Sequence, residues 1–151
     1  MSLYTIFKIS SQGMTAQRER LEAASTNLAN ANSTRSTDGK VYKRRDVVFT
    51  AIDVKDKWGE ISAENGLGGN GLKPQGVSSE VVTADENQLP NRQHQPWNPD
   101  ADNDGYVNLP DVDPLEETVN MMSAARAFEA NATVFGTAKE MARVSLNLGD
   151  V

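Results

Sequence analysis

The 151-residue chain reads as mainly α with a small β-rich insert, an α+β fold. Three observations carry that reading: a seven-residue apolar period at each end, β-branched runs confined to the middle, and glycines concentrated between those runs. One domain with a core is expected at this length. Hydrophobic residues make up 38% of the chain and aromatics only 6%, so the core open to an isolated chain is thin.

The first segment, residues 1–32, has Phe7, Met14, Leu21 and Leu28 at seven-residue steps. Leu3, Ser10, Gln17, Ala24 and Ala31 lie four residues before them, so a large position alternates with a small or polar one along a coiled-coil seam. A helix of about 28 residues is predicted, roughly 42 Å long. The middle segment, residues 33–113, differs in kind. "KVYKRRDVVFTAIDV" and "GVSSEVVTADE" read as strands, and residues 59–76 between them hold six of the eleven glycines, which predicts a mobile loop. The last segment, residues 114–151, is announced by Asp113 as N-cap, Pro114 at the first helical position and Glu116 at the third. Met121, Phe128, Phe135 and Ala142 then repeat every seven residues, with Ala125 and Ala132 between them. Two long end helices with matching periods are expected to pair as a coiled coil, joining both termini in one helical end-domain. Leu115, Val119, Met122, Val134, Met141 and Leu148 are left over on a second face, and surplus apolar surface on a long helix calls for neighbours.

Charge and composition limit the function classes. Residues 1–45 carry eight Lys/Arg against three acids, a balance of +5, which leaves −11 for residues 46–151 out of a total of −6. The two regions attract each other and the opposite regions of neighbouring molecules. No run of 18 apolar residues is present, so no membrane insertion is expected, and the first residues lack the apolar stretch of a cleaved signal peptide. The absence of cysteine removes disulfides, thiolate catalysis and sulfur-ligated zinc.

Several motifs have a functional reading and a plainer one. "NPDADNDGYVNLPDVD" places Asp100, Asp102, Asp104 and Asp111 at positions one, three, five and twelve of an EF-hand or dockerin-like loop, with Gly105 at six. A calcium-binding interaction module built on residues 100–111 is the alternative function. Pro96 and Pro99 deny that loop an entering helix, Pro110 stands where the exit helix would begin, and one copy stands alone. The plainer reading is an acidic turn that runs into the strand "GYVNL" and then caps the last helix. "GLGGNG" at 66–71 spells a dinucleotide fingerprint without the strand and helix it needs. "KRR" at 43–45 has no aromatic platform for nucleic acid, and the chain is acidic overall. His94, the only histidine, has no partner pattern for acid–base work and reads as a surface-loop residue. The triplets at 32–34 and 131–133 match the glycosylation acceptor by spelling alone. No catalytic residue, cofactor or nucleic-acid partner is expected.

At "AASTNLANANSTRSTDGKVYKRRDVVF" the sequence resembles the N-terminal segment shared by bacterial flagellar axial proteins of the rod and hook, with its Asn-Leu-Ala-Asn core at 27–30. "ARAFEANATVFGTAKEM" resembles their C-terminal segment, and "PDADNDGYVNLPDVDPLEETVNMMSAARAFEAN" resembles the members of the proximal rod. The match covers about residues 1–50 and 97–148. It implies a structural subunit of the basal-body rod, without enzymatic activity, whose terminal helices pair and stack with those of neighbours into a hollow drive shaft that transmits torque. Its implied partners are copies of itself, other rod proteins and the flagellar type III export apparatus. The implied location is the periplasmic rod, reached without a cleaved signal peptide. The packing seam is then Phe7, Met14, Leu21, Leu28, Met121, Phe128 and Phe135. Asn27, Asn30, Arg126, Glu129 and Asn131 are the polar positions of the family motifs.

Overall fold

The computed structural model describes residues 3–35, 40–54, 75–84 and 91–149. In chain order these form α1 (Leu3–Asn30), β1 (Arg45–Asp53), β2 (Gln75–Thr83), β3 (Asn91–His94), β4 (Tyr106–Leu109) and α2 (Pro114–Gly149). Two long helices bracket two small antiparallel sheets, β1–β2 and β3–β4, the mostly helical α+β class that the sequence predicts.

Asp113 acts as expected and caps α2: its Oδ1 accepts the Leu115 amide at 2.8 Å, a donor with no partner inside the helix, and its carbonyl accepts the Glu117 amide at 3.1 Å as the first bond of the helix. Glu116, expected to share in the cap, holds Arg44 with its carboxylate. Glu116 and Glu117 occupy the first turn, where the helix dipole favours negative charge. At the other end of α1 the Asn30 carbonyl accepts both the amide and the hydroxyl of Ser33, at 3.0 and 2.8 Å.

Contacts gather the described residues into two compact units. A terminal unit takes Met1–Arg18, Phe49–Ser79 and Ala125–Val151, and a strap unit takes Glu19–Val48 and Glu80–Ala124. Each contains one length of α1 and one of α2. The buried apolar residues are mostly alanines: among the described residues Ala16 and Ala138 are buried with Val54 in the terminal unit, and Ala23, Ala24, Ala31 and Ala124 with Val107 and Leu109 in the strap unit.

The middle of the chain departs from expectation at three places. The strand predicted from residue 40 begins only at Arg45, and the side chains of Tyr42 and Arg44 before it reach the two helices, as described below. The loop predicted over 59–76 lies outside the described residues up to position 74, and its last two residues, Gln75 and Gly76, open β2. The segment around His94 forms β3, antiparallel to β4 with Asn91 opposite Leu109 and His94 opposite Tyr106. All four β3 residues are exposed and none is β-branched, so nothing in their pattern marks a strand. They are extended because β4, with Val107 and Leu109 buried and Tyr106 and Asn108 exposed, offers an edge to pair with. The connection from 95 to 105 is closed by the Gln95 amide on the Gly105 carbonyl at 2.9 Å and the Gly105 amide on the Asp102 carbonyl at 2.8 Å. Gly105 supplies the left-handed conformation this closure requires, with φ of 77°.

Candidate functional site

In the terminal unit Phe7 meets Phe135 edge to face, with ring centroids 4.9 Å apart. Gly13 lies against the side chain of Asn131, whose Nδ2 is 2.9 Å from where a β-carbon on residue 13 would stand. Moving forward along α1 thus means moving back along α2, so the two segments run in opposite directions. In the strap unit the Arg20 guanidinium donates to the Asn120 Oδ1 at 2.9 Å.

The large residues of the predicted seam are half-buried: Phe7, Met14, Leu21 and Leu28 on α1, Met121 and Phe135 on α2. Phe128 is 38% exposed. The most buried positions of α1 are the small or polar ones, Thr5, Ser10, Ala16, Ala23, Ala24 and Asn27, with Ala31 buried just past its end. On α2, Glu117, Ala124 and Ala138 are buried, at multiples of seven from one another. A helix turns ~100° per residue, so Leu115, Val119 and Met122 stand on the side opposite Glu117 and Ala124 in the strap unit. All three are exposed, as are Val134, Met141, Val144 and Leu148 in the terminal unit.

Among the family-motif residues, Asn27 is the most constrained. It is 1% exposed, and its amide reads one backbone residue from both sides. Nδ2 donates to the Arg45 carbonyl at 2.8 Å, and Oδ1 accepts the Arg45 amide at 2.9 Å and the Tyr42 hydroxyl at 2.9 Å. This is the exchange that a neighbouring strand would make. Asn30 turns back on its own helix, donating to the Thr26 carbonyl at 2.8 Å. Arg126 and Glu129 are exposed, and Asn131 is half-buried.

Residues 42–45 form a strap whose other end is held by α2. The Arg44 guanidinium places Nε 3.0 Å from the Glu117 carboxylate and NH2 3.1 Å from that of Glu116, with Asp46 at 3.4 Å. Glu117 is 2% exposed. Its contact with Nε is an ion pair without hydrogen-bond alignment. Burial opposes the Arg44 charge, yet the Glu116 hydrogen bond and the charges of Asp46, Glu117 and Glu116 outweigh it and hold the guanidinium above its usual range. The Ala84 amide donates to the Arg44 carbonyl at 2.9 Å, which fixes the strap from a third side. Burial raises the Tyr42 phenol above its usual value; the Arg45 charge opposes that and the Glu117 charge adds to it. Sequence reasoning missed Tyr42, Arg44 and Glu117 because the contacts that tie the strap to the helices, Tyr42 with Asn27 and Arg44 with Glu117, join residues 15 or more positions apart. The one available signal is an acid at 117, seven residues before Ala124, where the buried stripe of a helix calls for a small residue.

The acidic stretch is engaged elsewhere. Asp100 accepts the Thr34 hydroxyl at 2.7 Å and pairs with Arg35 at 3.4 Å. Asp102 pairs with Arg92 at 3.6 Å and accepts the Asn103 amide. Asp104 and Asp111 are exposed, and among the described residues no three acidic or imidazole side chains converge as a metal site requires. Nothing in this geometry favours the calcium reading. His94 lies exposed on β3, edge-on to Tyr106 at 5.1 Å, with Arg92 over the same ring at 5.3 Å. Among the described residues no helix is long and apolar enough to cross a membrane.

Residues 7–35 match the family model described as flagella basal body rod protein, and residues 103–148 match that of the flagellar basal body rod FlgEFG protein C-terminal. Over 150 residues the chain is 39% identical to the flagellar basal-body rod protein FlgC of Escherichia coli O6:H1, with 99% of each chain covered. The chain belongs to the FlgC family of flagellar basal-body rod proteins. The FlgC of Borreliella burgdorferi is 36% identical with 97% of each chain covered, and that of Bacillus subtilis 34% with 99% covered. FlgC proteins are structural components of the bacterial flagellum, and the chain is no enzyme. The two matched segments lie on the two helices: the first holds most of α1 with Asn27 and Asn30, and the second begins at the turn before β4 and runs along α2.

Proposed function

We propose that this chain is a subunit of the proximal rod. In this reading it assembles with copies of itself and with other rod proteins through its terminal helices, as a coiled pair, into a hollow drive shaft that passes torque outward. The single observation that supports this best is the outer face of α2. Leu115, Val119 and Met122 are exposed on the side away from the buried stripe, and Val134, Met141, Val144 and Leu148 are exposed further along. A helix with apolar residues on two sides has more surface than one partner helix covers. Heterologous contacts whose rotation does not close build tubes or filaments, and such a surface suits them. Export through the flagellar type III apparatus, without a cleaved signal peptide, to the periplasmic rod completes the reading.

Phe7, Met14, Leu21, Leu28, Met121, Phe128 and Phe135 are the packing seam in this proposal. Asn27, Asn30, Arg126, Glu129 and Asn131 set register or subunit contacts. Phe128 gives the sharpest test, because it is exposed enough in the single chain to accept a charge. Phe128→Asp is expected to leave the β3–β4 hairpin and its near-ultraviolet signature intact while abolishing incorporation into rods and motility. Rods of normal length and composition in that strain would overturn the seam assignment.

A further inference from the structure

We infer that the strap of residues 42–45, held by Asn27 on α1 and by Glu117 on α2, sets the axial register between the two helices within the strap unit, a task that their apolar residues do only in part. A shift of seven brings Leu28 to the place of Leu21 and Ala31 to that of Ala24, like for like, and the apolar row objects only where Asn30 comes to the place of Ala23 and Arg35 to that of Leu28. The Arg20–Asn120 bond discriminates little. The shift that brings residue 27 to the place of residue 20 sets an asparagine opposite Asn120, and two amides satisfy each other.

The strap does discriminate. Its grip on α1 needs one side chain that both donates to the Arg45 carbonyl and accepts the Arg45 amide, and Asn27 does both within 2.9 Å while nearly sealed from water. One heptad away in either direction stand Arg20, which has no acceptor atom, and Thr34, which lies past the last residue of α1. Neither replaces it. The grip on α2 needs a carboxylate at the buried position that Arg44 reaches, and one heptad on from Glu117 stands Ala124. A slipped pair therefore loses either the three hydrogen bonds at Asn27 or the Arg44 contact that balances the buried Glu117 carboxylate, according to whether the strap stays with α2 or moves with α1. A buried polar residue that fixes register in a coiled coil does so in the same manner; here the partner of the asparagine is the chain's own backbone.

The test uses the whole 151-residue chain, which has no native cysteine. Cysteines at the exposed positions Glu22 and Val119, both in the strap unit, carry spin labels for distance measurement by double electron–electron resonance. The native strap is expected to give one distance. Arg44→Met with Glu117→Leu replaces the ion pair by apolar groups, a change that is commonly neutral or stabilising when both partners go together. It is expected to keep the helical circular dichroism while a second distance appears, from molecules offset along the axis by about 10 Å, one heptad. Asn27→Leu, read in the same way, is expected to give the same second population. A single native distance in both variants overturns the inference. Loss of helicity in the double variant also overturns it, since the strap would then sustain the fold itself instead of choosing between registers.

Discussion

Tyr42 shows what a single buried contact contributes. Its hydroxyl donates to Asn27, and burial holds the phenol above the usual tyrosine range. The folded chain therefore keeps a proton that the unfolded chain releases near pH ~10. A group raised on folding contributes stability that is fully present below its unfolded value and lost as pH climbs through the folded one. Urea unfolding followed between pH 8 and 11 should show stability falling above about pH 10, and Tyr42→Phe should flatten that limb. The same variant should cost about 1 kcal/mol at neutral pH through the lost hydrogen bond. Little of this scale was legible in the sequence. "NLAN" marks Asn27 as a motif residue, but whether it faces solvent, a neighbour or the chain's own backbone depends on where residues 42–45 return, and no local pattern encodes that. Arg44 reads as part of a solvated basic run, "KRR", and is instead the counter-charge of a buried carboxylate.

Elements were far more legible than contacts. Helix ends are local chemistry: Asp113, Pro114 and Glu116 predict the start of α2, and the cap bond from the Leu115 amide to Asp113 is there. Asp113→Ala should cost about 1 kcal/mol and fray the first turn, which amide exchange at residues 115–117 would report. The seam illustrates the limit of periodicity. A period of seven finds a row of half-covered large residues on α1, but the most buried residues are its small or polar neighbours: Ala24 and Ala31 are buried while Leu21 and Leu28 are only half covered. β3 was invisible because its strand character is conferred by β4 and not by its own residues. Gly13 gives a test of close approach. In a helix interior alanine is better than glycine by about 1 kcal/mol, but a methyl at position 13 meets the Asn131 side chain. Gly13→Ala should therefore gain little alone and stabilise by about 1 kcal/mol in an Asn131→Ala background. Equal effects in both backgrounds would show that the two residues do not press on each other.

For the molecule as a whole, the two units differ in what holds them. Among the described residues the strap unit joins both of its helix segments and Ala84 to the strap through polar groups, whereas the terminal unit has the Phe7–Phe135 ring pair, small apolar contacts and the buried Thr5 and Ser10. In dilute solution the terminal unit should exchange its amides faster than the strap unit, and the difference should vanish in assembled rods, where added contacts offset the entropy of ordering. Equal and full protection of both units in the free chain would remove the need for assembly in this account. The alanine character of the interior has a mechanical corollary. An alanine methyl has no heavy-atom torsion to adjust, and helices packed through such residues approach the lower end of the ~8–10 Å range of axis separations. At those buried positions there is no rotamer to shift, so within each unit the alanine-lined parts of the interior should yield less to shear than a core of long side chains would.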